Sequence, residues 1–93
     1  MIKVVINEKT YKVRYYGKGS GIYSISDEHG EHEVGLWEQT PLLDRYGKPK
    51  KTQSMFEGRP FYDVEHPYRF YSKTDLAYYL VSSFIQHQPS HKI

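Results

Sequence analysis

The chain has 93 residues, 38% hydrophobic and 26% charged, with a formal net charge of +2. That length supports one hydrophobic core, so a single globular domain is expected and a disordered chain is excluded. The absence of cysteine excludes disulfides and thiolate zinc sites. So small a net charge also excludes nucleic-acid binding by bulk electrostatics, leaving only a local basic patch for that purpose.

The N-terminal MIKVVINEK has no apolar run of the length a signal peptide or membrane span needs. A cytoplasmic protein without membrane contact is therefore expected. Ten Tyr, four Phe and one Trp make the composition tyrosine-rich, which suits half-buried positions and contact surfaces.

Residues 2–16, IKVVINEKTYKVRYY, alternate as a β-hairpin does. A turn at Glu8-Lys9 pairs Ile6 with Tyr11, Val4 with Val13 and Ile2 with Tyr15, all on one apolar face. Lys3, Val5, Lys12 and Arg14 take the opposite face. Gly17-Lys18-Gly19-Ser20-Gly21 reads as a connecting turn. A phosphate-binding loop would end in Lys-Ser/Thr and enter a helix, whereas a strand follows here.

A second hairpin holds the histidine- and carboxylate-rich DEHGEHE, Asp27–Glu33. With His29-Gly30 at the turn, Tyr23, Ile25, Val34 and Leu36 share an apolar face that Asp27 and His32 continue. Ser24, Ser26, Glu33 and Gly35 take the other face, with Ile22 and Trp37 at its base.

From Glu38 to Pro60 no clean period appears. Pro, Gly and Lys mix with isolated apolar residues, and a long irregular loop over 38–60 is expected, of the kind that is functional or mobile. Two short aromatic strands follow within 61–71, on either side of Glu65-His66-Pro67.

Ser72 then offers an N-cap with Asp75 three residues on. Leu76, Ala77, Leu80, Val81 and Phe84 recur at helical spacing over 73–87. Pro89 ends the helix, leaving 88–93 as a frayed tail. The fold class is α+β: an antiparallel sheet of two N-terminal hairpins plus short later strands, with one C-terminal amphipathic helix on one face.

None of the chemical candidates converges. His29 and His32 have ligand-like spacing, but the hairpin register aligns only Asp27 with them, so no metal site and no cofactor are expected. His87 and His91 are separated by the helix-breaking Pro89. Ser24 and Ser26 point away from His32, which removes a nucleophile–base contact.

Gly21-Ile22-Tyr23 resembles the first element of the GIY-YIG nucleases, with Glu33-Val34-Gly35 near the position of the second. The likeness covers about fifteen residues. Glu33 stands where the second motif's tyrosine belongs, and Arg45 lies in a Pro/Gly-rich segment instead of an early helix. The chain is expected not to be an enzyme.

Between Pro41 and Pro60, Arg45, Lys48, Lys50, Lys51 and Arg59 outnumber Asp44 and Glu57. The first expectation is therefore a small non-enzymatic interaction protein that binds, and in one version inhibits, a larger protein or nucleoprotein. Accessory proteins of phages and mobile elements supply the analogy. Its partner-binding residues would be Arg45, Tyr46, Lys48, Lys50, Lys51, Phe56, Arg59, Tyr62 and Tyr68. The alternative is a nucleic-acid-binding module that uses Lys3, Lys12, Arg14, Lys48, Lys50 and Lys51.

Overall fold

A computed structural model describes residues 1–87; the expected tail, 88–93, and its His91 lie outside the described residues. Six strands, β1 (Ile2–Ile6), β2 (Lys9–Tyr15), β3 (Ser20–Asp27), β4 (Gly30–Leu43), β5 (Pro49–Pro60) and β6 (Tyr68–Phe70), form one antiparallel sheet in chain order. The helix α1 (Lys73–Gln86) packs on one face. This is the expected α+β architecture. No helix among the described residues is long and apolar enough to cross a membrane.

The first hairpin closes at Asn7-Glu8, both at positive φ (55° and 66°), as a two-residue primed turn requires. Ile6 therefore pairs with Lys9, Val4 with Tyr11 and Ile2 with Val13, two positions from the expected register. An even shift preserves the faces. Val4, Tyr11 and Val13 are buried, whereas Val5 is 59% exposed on the reverse side.

The second hairpin turns at Glu28-His29, one residue earlier than expected. Gly30, at φ 115°, opens β4 in a conformation that glycine tolerates best. The larger departure is a bulge between Tyr23/Ser24 and the facing Glu33–Gly35 segment. Its extra residue switches the side-chain parity of β4. Trp37 consequently enters the core at 3% exposure and Leu36 leaves it at 46%, the reverse of the alternation expected from the sequence.

Ser72 caps α1 as expected, accepting hydrogen bonds from the amides of Thr74 (3.1 Å) and Asp75 (3.3 Å). Leu76, Ala77, Leu80 and Val81 face the sheet fully buried and join Val4, Tyr11, Val13, Tyr23, Ile25, Val34 and Trp37 in one core. Gly58 makes the close approach possible, since a β-carbon there would lie 2.7 Å from a Leu80 methyl. Among the described residues, the reverse face of the sheet carries no helix.

The expected irregular loop over 38–60 is not a loop. It is the long hairpin of β4 and β5, paired from Gly35–Pro60 out to Leu43–Pro49. The expected strand at 61–64 is instead a short 3-10 turn, Phe61–Asp63, leaving β6 as the only strand of that region.

Candidate functional site

Beyond Glu38 the β4–β5 hairpin leaves its neighbours. The last bond toward β3 runs from the Gln39 amide to the Gly19 carbonyl (2.7 Å). On the other side, β6 covers only Phe56–Gly58. From Thr40 to Met55 the two strands therefore form a ribbon that, among the described residues, has no third strand on either edge and no helix above it. Leu43 lies five residues, about 17 Å at the usual strand rise, past Glu38. The molecule measures 56 × 25 × 21 Å with a radius of gyration of 14.4 Å, against about 12 Å for a compact chain of this length.

Asp44 builds the tip. Its Oδ1 accepts from the amides of Tyr46 (2.8 Å) and Lys48 (3.0 Å), and its backbone amide donates to the Lys48 carbonyl (2.8 Å). The Asp44 side chain thus replaces missing backbone pairing with an Asx-type turn. The Arg45 guanidinium lies 5.3 Å from the centre of the exposed Tyr46 ring. Over residues 39–54 there are four cations, Arg45, Lys48, Lys50 and Lys51, and one carboxylate, Asp44.

The structure divides the nine partner-binding residues expected from sequence. Arg45, Tyr46, Lys48, Lys50 and Lys51 lie together on the distal ribbon. Phe56, Arg59, Tyr62 and Tyr68 lie in the body and have partners there. Arg59 and Arg69 clamp Glu57 at 2.5 and 3.0 Å. The Arg59 bond is the main influence lowering the Glu57 pKa; burial opposes it and Arg69 adds to it. Tyr62 stacks on His87 with centroids 4.1 Å apart and hydrogen-bonds Ser83. Phe56 and Tyr68 pack against the core.

The cations of the nucleic-acid alternative divide as well. Lys3, Lys12 and Arg14 share the open sheet face, but in rows completed by Glu31 and Glu33. Arg14 donates to the Tyr16 hydroxyl (3.2 Å), and Tyr16 and Ser24 both donate to Glu31. Hydrogen bonds from Ser24 and Tyr16 hold the Glu31 carboxyl below its ordinary range, with Arg14 helping and burial opposing. This face has mixed charge and lies apart from the ribbon tip.

Asp27 and His32 do meet, with Oδ1 and Nε2 3.0 Å apart, although their backbones are not directly opposite. Burial acts to raise the Asp27 pKa. The His29 amide and the His32 ring outweigh it and hold the carboxyl below its ordinary range. Ser24 and Ser26 sit on the opposite face from His32. Among the described residues no three His, Asp or Glu side chains gather as a metal ion would need. Tyr23 of the nuclease-like GIY segment is fully buried, and Arg45 is at the ribbon tip.

Sequence reading missed an exposed aromatic patch at the ribbon's root. Tyr71, Tyr78 and Tyr79 are 71%, 46% and 46% exposed. Tyr79 stacks on Phe70 (4.7 Å) and meets Tyr78 edge-on (5.2 Å). Tyr71 borders a hollow shared with Leu42, Gln53 and Ser54. The available signal was Tyr78-Tyr79, where two adjacent aromatics on a helix cannot both face the core. Compared with protein families, curated proteins and solved structures, the chain matches none.

Proposed function

We propose that the protein is a non-enzymatic interaction module that engages a larger protein through the β4–β5 ribbon and the tyrosine patch at its root. The bare ribbon carries this reading. A hairpin that, among the described residues, contributes no buried side chain to the core, yet is kept in shape by the Asp44 turn, is suited to contacts outside the chain. Its four cations match an acidic partner surface, and the exposed tyrosines supply the ring area typical of interface centres.

Pro41 and Pro49 remove amide donors from the two strands, and the lysines oppose addition of another strand. The partner is therefore met by side chains, not by sheet extension. Inhibition would follow where the ribbon occupies a functional cleft of that partner.

A second reading rests on the ribbon's dimensions, because a two-stranded ribbon fits the major groove of DNA. One experiment separates the two. In a shortened chain, residues 41–54 are replaced by Asn-Gly, joining Thr40 to Met55 through a two-residue turn. Affinity capture with the wild-type and shortened chains, with and without nuclease, should recover a partner that needs the ribbon and survives nuclease. Ribbon-dependent binding lost on nuclease treatment, with affinity falling steeply with salt, would establish the nucleic-acid reading instead. Equal capture by both chains would remove the ribbon from the function.

A further inference from the structure

Lys73 opens α1, where a positive charge meets the positive end of the helix dipole and is disfavoured. Its ammonium nevertheless has a defined place. Nζ lies 5.0 Å from the centre of the Trp37 ring, 5.6 Å from Tyr15 and 5.8 Å from Phe56, all within cation–π range. The three rings come from β4, β2 and β5, so three strands of the sheet bring them together.

The rings are also held. The Trp37 indole N–H donates to the Tyr16 carbonyl (2.7 Å), and the Tyr15 hydroxyl donates to the Lys73 carbonyl (3.1 Å). Tyr15 and Trp37 stand at 58° with centroids 5.2 Å apart, walls of a box instead of a flat stack. Among the described residues, no hydrogen bond or ion pair reaches the Lys73 ammonium.

A primary ammonium wants acceptors for its three N–H groups. A site built of ring faces, in which the ammonium donates no hydrogen bond to the described residues, suits a cation that has no N–H to satisfy. We propose that Tyr15, Trp37 and Phe56 form a binding site for a quaternary or multiply methylated ammonium group, with Lys73 as its built-in, displaceable occupant. The cost of displacement is reduced because a released Lys73 side chain moves away from the positive helix end. The site is independent of the ribbon reading, although Phe56 stands close to the ribbon's root.

Trp37 is the only tryptophan, so its fluorescence reports the box directly. Tetramethylammonium chloride is titrated into the wild-type chain and into Lys73→Ala, with potassium chloride matching ionic strength and tert-butanol as the neutral isostere. A saturable change with tetramethylammonium alone is expected in both chains. The apparent dissociation constant should be about tenfold lower in Lys73→Ala, as follows if Lys73 fills the box roughly nine-tenths of the time.

In the wild-type chain, NMR should show the Trp37 indole and Lys73 ε-methylene signals shifting together along the same titration. This readout holds even if the variant fails to fold. No saturable change in a folded Lys73→Ala overturns the proposal. So does an equal response to tert-butanol, or a wild-type Lys73 signal that stays in place at saturating tetramethylammonium.

Discussion

Strands β4 and β5 lead two different lives along their length. Near Trp37 and Gly58 they lie under α1, flanked by β3 and β6, and their side chains enter a core with Leu76 and Leu80. Past Gln39 and Met55 the same two strands have, among the described residues, no third strand on either edge and no helix over them. Backbone pairing is common to the two halves; burial belongs to one. The body is therefore held by apolar area, and the ribbon by its ladder, the Asp44 turn and little else.

The largest expected contrast is energetic. Leu80→Ala, which empties a fully buried position, should lower unfolding free energy by about 2–5 kcal/mol in urea denaturation. Leu43→Ala, on a residue 61% exposed in the ribbon, should stay within about 0.5 kcal/mol. Comparable losses at both positions would mean that the ribbon is packed against something in solution.

Hydrogen exchange should show the same division. Amides of Thr40, Leu42 and Met55 should exchange on the order of a hundredfold or more faster than those of Val13, Ile25 and Trp37, because the ribbon can open without exposing the core. Equal protection would break the comparison.

Within the body, one buried side-chain polar atom among the described residues has no hydrogen-bond partner, the Tyr23 hydroxyl. Burial, with Tyr62, Tyr15 and Tyr68 adding to it, pushes its pKa upward, so the group stays neutral. Tyr23→Phe should therefore raise stability, by about 1 kcal/mol, in thermal or urea unfolding. A loss of similar size would show that the hydroxyl has a partner.

The smallest effect concerns acid. Asp27 and Glu57 have folded pKa values below the ordinary carboxylate range. Their stabilisation is thus complete above the unfolded carboxylate pKa, about 4, and is lost as pH falls through the lower folded values. Asp27→Asn should flatten the acid limb of a stability–pH curve below about pH 4. An unchanged acid limb would remove the Asp27–His32 pair from the stability of this end of the sheet.

How much was legible in the sequence depends on what burial writes into it. Ile2, Val4 and Ile6 alternate with Lys3 and Val5 because one face of the hairpin is covered, and Leu76, Leu80 and Val81 recur because one helix face is. Ser72 and Asp75 announce the cap by local hydrogen bonding alone. Each of these signals survives a two-residue error in register, as the first hairpin shows.

The ribbon left no such mark. Alternation records the burial of one face, not the presence of a strand, and TPLLDRYGKPKKTQS lies, among the described residues, beyond the strands that flank β4 and β5. Its cationic surplus was legible, whereas its shape was not.

By itself the sequence determined the α+β class, the faces of the first hairpin, the helix and its cap, and the positive charge of 41–60. Local patterning suffices for these, because each depends on residues within a few positions of one another. Only the tertiary structure decided that Trp37 faces inward and Leu36 outward, since a single bulged residue reverses parity and depends on how β3 and β4 meet. Pairing between β4 and β5 also turned a supposed loop into a projecting ribbon, and packing placed Lys73 over three rings from three strands. Those positions are set by the register of β2, β4 and β5 against one helix, which no short stretch of the chain contains.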